Sequence, residues 1–262
     1  MTESAIVSRL RAAGCVFAED EARLILATAR TPDDASGMVD RRAAGLPLEH
    51  VLGWAEFCGL RIAVEPGVFV PRRRTEFLVR RAAELAPPRP VVVDLCCGSG
   101  ALGAALVAGL SELGEPNEYA LHAADVEPAA VRCARRNIAP YGGHAYEGDL
   151  FAPLPDALRG RVDVLLANVP YVPSGDVALM PAEARDHEPR AALDGGPDGL
   201  DVLRRVTAEA SRWLVPGGHL LFETSERQVR DAVAAVERGG LAAAVAASEE
   251  FYATVIVGAK PV

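Results

Sequence analysis

No apolar run in this chain of 262 residues reaches the roughly 18 residues that a helical membrane span needs. The opening Met1-Thr2-Glu3-Ser4 lacks a basic segment leading into an apolar one, so a cytoplasmic location is expected. Cysteine is sparse and badly spaced for structural use. Cys15, Cys58, Cys96, Cys97 and Cys133 are odd in number and scattered, which predicts reduced thiols with neither a disulfide framework nor a metal site. Lysine is nearly missing: Lys260 stands alone, and 27 Lys+Arg against 36 Asp+Glu leave a net charge of −9. Such a balance gives no help to nonspecific contact with a phosphate backbone, so nucleic acid is not an expected partner. What remains, 50% hydrophobic and 24% charged, is the composition of a globular protein with enough chain for a real core.

The hydrophobic pattern changes twice along the chain. In residues 1–50 the apolar positions recur at three- and four-residue spacings, broken near Gly14 and stopped by Thr31-Pro32, with a second stretch from Asp34 to Gly45-Leu46-Pro47. A small helical cap is expected there. Residues 51–70 alternate around Gly59 and Pro66-Gly67, which predicts a β-hairpin acting as a linker, followed by a helix over 75–86. From residue 90 short apolar runs alternate with helical periods, the pattern of a parallel sheet covered on both faces. Strands are predicted at 91–95, 119–124, 144–147, 162–167, 218–223, 241–247 and 252–258, with helices at 100–110, 128–138, 200–213 and 226–238. The domain reading is therefore a cap over 1–50, the hairpin over 51–70 and an α/β domain over 71–262. Residues 169–199 are rich in proline and glycine and read as a long, functional loop.

Three motifs fall where such a sheet places its chemistry. Asp94-Leu95-Cys96-Cys97-Gly98-Ser99-Gly100 follows the run Val91-Val92-Val93 and opens a helix, so backbone there can approach a ligand closely. Gly98, Gly100 and Gly103 also fit a dinucleotide fingerprint, which taken alone is weak and leaves an NAD-dependent oxidoreductase open. Asp125 at the end of the second strand suits the two hydroxyls of a ribose, or the N-cap of the next helix. Asp149 suits an adenine amino group, with Leu150 or Val126 against the ring face, although a turn aspartate reads the same. The third motif, Asn168-Val169-Pro170-Tyr171, offers a side-chain oxygen and a main-chain carbonyl aimed by proline, a pair of acceptors for an NH2 group, with an aromatic to hold it flat. His50, His122, His144, His187 and His219 have no triad partner in the sequence, and His187 lies in the long loop.

On these stretches, together with Gly53-Trp54-Ala55-Glu56-Phe57, Val68-Phe69-Val70-Pro71-Arg72 and Glu188-Pro189-Arg190 through Gly199-Leu200, the chain resembles the HemK/PrmC family of protein-glutamine N5-methyltransferases over roughly residues 45–262. The resemblance implies a Rossmann-like class I S-adenosylmethionine methyltransferase fold, a seven-stranded mixed sheet with a reversed last strand behind a small helical N-terminal domain. It also implies S-adenosylmethionine as cofactor, S-adenosylhomocysteine as product, and a peptide-chain release factor as protein substrate. Carried over, Asp94 and the loop Cys96, Cys97, Gly98, Ser99 and Gly100 hold the methionine part. Asp125 takes the ribose and Asp149-Leu150 the adenine region, with Val126 also in the cofactor set. Asn168, Val169, Pro170 and Tyr171 grip the acceptor amide, with Asn168 also facing the cofactor, and Phe69 packs against the acceptor. Three departures stand out: Val169 where the family has proline, Cys96 where it has glycine, and Arg73-Arg74 where it has Pro-Glu. The arginines imply either a more acidic partner surface or a solvated helix start. The rival classes are a methyltransferase acting on another planar NH2 such as adenine, the NAD-dependent oxidoreductase, and a noncatalytic paralogue that binds a partner through its cap.

Overall fold

The computed structural model describes residues 1–113 and 119–262. Helices α1 (Glu3–Ala12), α2 (Ala18–Thr28), α3 (Pro32–Ala43) and the short α4 (Leu48–Leu52) form the N-terminal part. The Thr31 hydroxyl accepts the Asp34 N–H at 3.1 Å, and proline opens α3, so an orphan donor of the first turn is satisfied and the one that proline lacks is not needed. Ile6, Leu10, Ala22, Ile25, Met38 and Val39 meet in a core of their own. The hairpin is shorter than the expected 51–70: β1 (Trp54–Phe57) pairs antiparallel with β2 (Leu60–Ala63), and α4 takes the residues before it. Phe57 and Ile62 are buried among side chains of the sheet's helical cover, so the hairpin packs onto the larger body.

The remaining elements are α5 (Glu76–Leu85), β3 (Val91–Leu95), α6 (Ala101–Leu113), β4 (Ala120–Asp125), α7 (Pro128–Ile138), β5 (His144–Glu147), β6 (Val162–Ala167), α8 (Ala182–His187), α9 (Asp201–Trp213), β7 (Leu214–Thr224), α10 (Val229–Arg238), β8 (Ala242–Ser248) and β9 (Ala253–Ala259). The seven-stranded sheet runs β5-β4-β3-β6-β7-β9-β8. β9 lies antiparallel between β7 and β8, while β5, β4, β3, β6 and β7 are parallel neighbours. The sheet is thus mixed with a reversed last strand. Strand alternation divides the core in two. Val92, Val164 and Leu166 face the side covered by α5, α6 and α7, whereas Val93, Leu95 and Leu165 face α9 and α10.

One boundary differs in an instructive way. The sequence predicts this strand at 218–223, yet β7 begins at Leu214 and runs through Pro216, and its register with β6 shifts between Val162 and Val164. Such an irregularity lets a strand carry a proline without breaking the ladder. The chain lays down β3, β4 and β5 to one side and then returns to β6 on the other. The crevice at the carboxyl ends of β3 and β6 is therefore the place where an open α/β sheet binds its ligand.

Candidate active site

A cavity of about 400 Å³ opens at that crevice, within the size range of small-molecule sites. Cys96, Cys97, Gly98 and Ser99 from the turn after β3 line it, as do Asp125 and Val126 after β4, Asp149 and Leu150 after β5, and Asn168 through Tyr171 after β6. Phe69 closes it from the segment after the hairpin. Thirteen of the fifteen residues singled out from the sequence therefore share one wall-to-wall space, and two do not. Asp94 is fully buried behind the turn, where Oδ2 accepts the Gly103 N–H at 3.0 Å and Oδ1 has no partner. Gly100 sits behind the loop at φ +75°, where a Cβ would come within 3.1 Å of Ala134. Both shape the loop from behind.

On the β4 side the Asp125 carboxylate accepts the Gly98 N–H at 2.8 Å and the Glu127 N–H at 2.9 Å. Burial pushes this carboxyl up, and the two main-chain donors pull it back. Beside it Val126 is 56% exposed, an apolar face on the cavity wall. The Asp149 carboxylate accepts from Arg205 of α9 at 2.5 Å, and Val202 of the same helix also lines the cavity. Cys96 has φ 51°, a left-handed conformation that suits glycine better than any side chain.

On the β6 side Asn168 is half-buried, and Val169 packs its side chain into the core at 2% exposure. Among the described residues neither the Asn168 side chain nor the Val169 carbonyl has a hydrogen-bond partner. The valine that replaces proline thus serves packing while its carbonyl stays available. The Tyr171 carbonyl accepts from Gln228 Nε2 at 2.9 Å, and its hydroxyl donates to Glu223 Oε1 at 2.7 Å. Burial, with Glu223 close by, pushes the phenol pKa up. The loop 169–199 folds back over this side: Val172 N–H donates to the Leu193 carbonyl at 3.1 Å, and Gly195 N–H to the Val172 carbonyl at 2.8 Å.

The arginine run is not a free positive patch. Arg72 pairs with buried Glu188 at 2.6 Å and Arg74, itself exposed, with buried Glu223 at 2.7 Å, while Arg73 is exposed too. None of the five histidines lines the cavity; His50, for one, lies 2.9 Å from the Val68 carbonyl. Among the described residues no cluster of three or more His, Cys, Asp or Glu could hold a metal, and no helix is long and apolar enough to cross a membrane. Reasoning from the sequence noted Arg74 as part of the arginine run and missed Thr75, Val202, Arg205 and Glu223 on the cavity wall. Glu223 had a signal, since it lies near the carboxyl end of a strand beside β6.

Residues 59–186 match the family described as Methyltransferase small domain. Release factor glutamine methyltransferase of Geobacter sulfurreducens is 39% identical over 206 residues, covering 78% of this chain and 69% of that protein. Its namesake from Mycolicibacterium smegmatis is 42% identical over 199 residues, covering 73% and 68%. That of Bradyrhizobium diazoefficiens is 33% identical over 249 residues, covering 86% and 82%. Among solved structures, a methyltransferase from Pyrococcus furiosus aligns with a TM-score of 0.56 at 16% identity, over 78% of this chain and 90% of that one. The ribosomal protein L11 methylase of Lactobacillus delbrueckii subsp. bulgaricus aligns at 0.52 and 16%, over 77% and 86%. At that identity these two speak for the fold alone.

Proposed function

The chain belongs to the release factor glutamine methyltransferase family, and from that premise we propose that it methylates the side-chain amide nitrogen of a release factor glutamine, using S-adenosylmethionine. The observation that carries the reading is the pair of unpartnered acceptors, Asn168 Oδ1 and the Val169 carbonyl, on the wall of one cavity with the Asp125 carboxylate. The donor set fits the cofactor: a carboxylate for a ribose diol at Asp125, another for an adenine amino group at Asp149, and the exposed Val126 for a ring face. The glycine spacing that also matched a dinucleotide site is better explained by the family. A release factor acceptor implies work where translation runs, in the cytoplasm.

When bound, S-adenosylmethionine supplies an electrophilic methyl carbon on a positively charged sulfur. An amide nitrogen is a poor nucleophile because its lone pair is delocalised into the carbonyl. Asn168 Oδ1 and the Val169 carbonyl each accept one N–H of the acceptor amide, which returns electron density to nitrogen and fixes its orientation. The Tyr171 ring lies against the flat group and Phe69 closes the opposite side. As the methyl group moves, the positive charge passes from sulfur to the amide nitrogen, which then gives up one N–H proton to solvent, so positioning matters more here than a charged catalytic group. The test is mass spectrometry of a release factor incubated with the protein and S-adenosylmethionine. One added methyl on the glutamine of its Gly-Gly-Gln loop is expected, and an unmodified glutamine under conditions where the protein binds S-adenosylhomocysteine refutes the reading.

A further inference from the structure

The methyl-transfer reading uses Tyr171 for its ring face and gives no role to its hydroxyl. That hydroxyl is nonetheless tied on both sides. Its proton goes to Glu223 Oε1 at 2.7 Å, and its oxygen accepts from Arg74 Nη2 at 2.5 Å. Arg74 Nε also donates to Glu223 Oε1 at 2.7 Å, and the Thr75 hydroxyl donates to Glu223 Oε2 at 2.7 Å. At its other end the residue is held through its carbonyl by Gln228 Nε2, which also donates to the Asp198 carbonyl at 2.9 Å.

Glu223 is only 4% exposed, and burying a carboxylate is costly unless it is paired and hydrogen-bonded. A well-packed apolar set in its place would serve stability at least as well. Fold stability therefore does not account for a charged pair at this spot, on the cavity wall, drawing together the segment before α5, the segment after β6 and the end of β7. What the pair does achieve is direction. The phenol donates one hydrogen bond and accepts another, so the ring cannot swing away from its place on the wall without losing both.

We propose that Arg74 and Glu223, with Thr75, are positioning residues for methyl transfer, clamping the Tyr171 phenol so that its ring holds the acceptor amide in the plane defined by Asn168 and Val169. The proposal rests on the glutamine reading above and deepens it. Groups held to well under an ångström are what such a reaction needs, because small misplacement costs rate far more than affinity.

The test is a double-mutant cycle on Tyr171→Phe and Arg74→Met, with Arg73→Ala as a neighbouring control, at a temperature where circular dichroism finds every variant folded. Each clamp variant should lose about tenfold in kcat, with KM for the release factor and affinity for S-adenosylhomocysteine changed less than about threefold. The double variant should lose no more than Tyr171→Phe alone, since both act through one hydroxyl. Full kcat in Arg74→Met, or losses that multiply in the double variant, overturns the clamp. A second readout needs no acceptor: a slowly exchanging hydroxyl proton in the NMR spectrum, missing from Tyr171→Phe and exchange-broadened in Arg74→Met. Wild-type protein without that proton overturns the clamp as well. Wild-type protein that transfers no methyl group overturns the functional reading instead, and the NMR arm then decides the clamp alone.

Discussion

Replacing Asn168 by alanine isolates the step on which the functional reading turns. Asn168 makes no hydrogen bond within the described protein, so its removal orphans no other group and folding should be almost unaffected. The Val169 carbonyl survives the change and still offers one acceptor. The variant therefore loses one of two acceptors that act on the amide. Losing a preorganised group aimed at the reacting centre costs on the order of 2–4 kcal/mol. At about 1.4 kcal/mol per factor of ten this is roughly a 30- to 700-fold fall in kcat. Because the contact is to the acceptor, affinity for S-adenosylhomocysteine should stay within about threefold. Steady-state methylation of a release factor, followed by mass spectrometry, gives kcat, and calorimetry gives the affinity. An Asn168→Ala enzyme with undiminished kcat refutes the assigned role, and so does one whose loss lies wholly in cofactor affinity.

Asp125→Ala should act the other way round, weakening S-adenosylhomocysteine in calorimetry. It should also lower the melting temperature, since Gly98 and Glu127 lose the carboxylate that accepts their N–H groups. Cys96→Gly should relieve a left-handed backbone that costs a side chain about 1–2 kcal/mol, partly offset by lost packing, and raise the melting temperature by a few degrees. A lower melting temperature would mean that the thiol's packing outweighs the strain. Burial pushes the Asp94 carboxyl up to about 8, against the opposing pull of the Gly103 N–H. The folded state thus holds this proton more tightly than the unfolded chain. That contribution to stability is full below about pH 4, lost as the pH rises towards 8, and level above it. Urea unfolding of the wild type should weaken between pH 5 and 8 more than that of Asp94→Asn, and equal slopes would sink the assignment.

The parts of the site carried by short contiguous segments were legible in the sequence. A run of valines ending in Asp94-Leu95-Cys96, a strand ending at Asp125 and another running into Asn168 each announce both the strand and the turn that leaves it. A parallel sheet then brings such strand ends together without further instruction. The helices and most strands fall within a few residues of their expected ends for the same reason: periodicity is a local property. What stayed hidden depends on separations along the chain. Arg74 meets Tyr171 across 97 residues, and Thr75 meets Glu223 across 148. No spacing rule links such positions, and before the fold is known an arginine run reads only as charge. Val202 and Arg205 were missed for a related reason. They lie on α9, whose strong amphipathic pattern reads as packing and does not say which residues of its first turns overhang a cavity.

The same distinction between local and long-range order bears on the helical N-terminal part. Arg42 of α3 is almost wholly buried, and its guanidinium meets Glu21 of α2 at 2.6 Å and Glu183 of α8 at 2.6 Å, with the Leu46 carbonyl at 3.0 Å. Two carboxylates and a carbonyl around one cation offset its desolvation, yet an ion network of this kind contributes little net stability. Its effect is on geometry. Glu183 belongs to the loop that folds back over the acceptor side, where Met180 and Leu193 line the cavity. The N-terminal helices are thus tied by a charged, directional contact to the loop that shapes the acceptor space, and by His50 to the Val68 carbonyl next to Phe69. An apolar seam would hold these parts together equally well but would tolerate sliding. Fixed directions between Arg42 and its partners hold the Glu183 end of the loop to the helical part, none of whose residues lines the cavity itself.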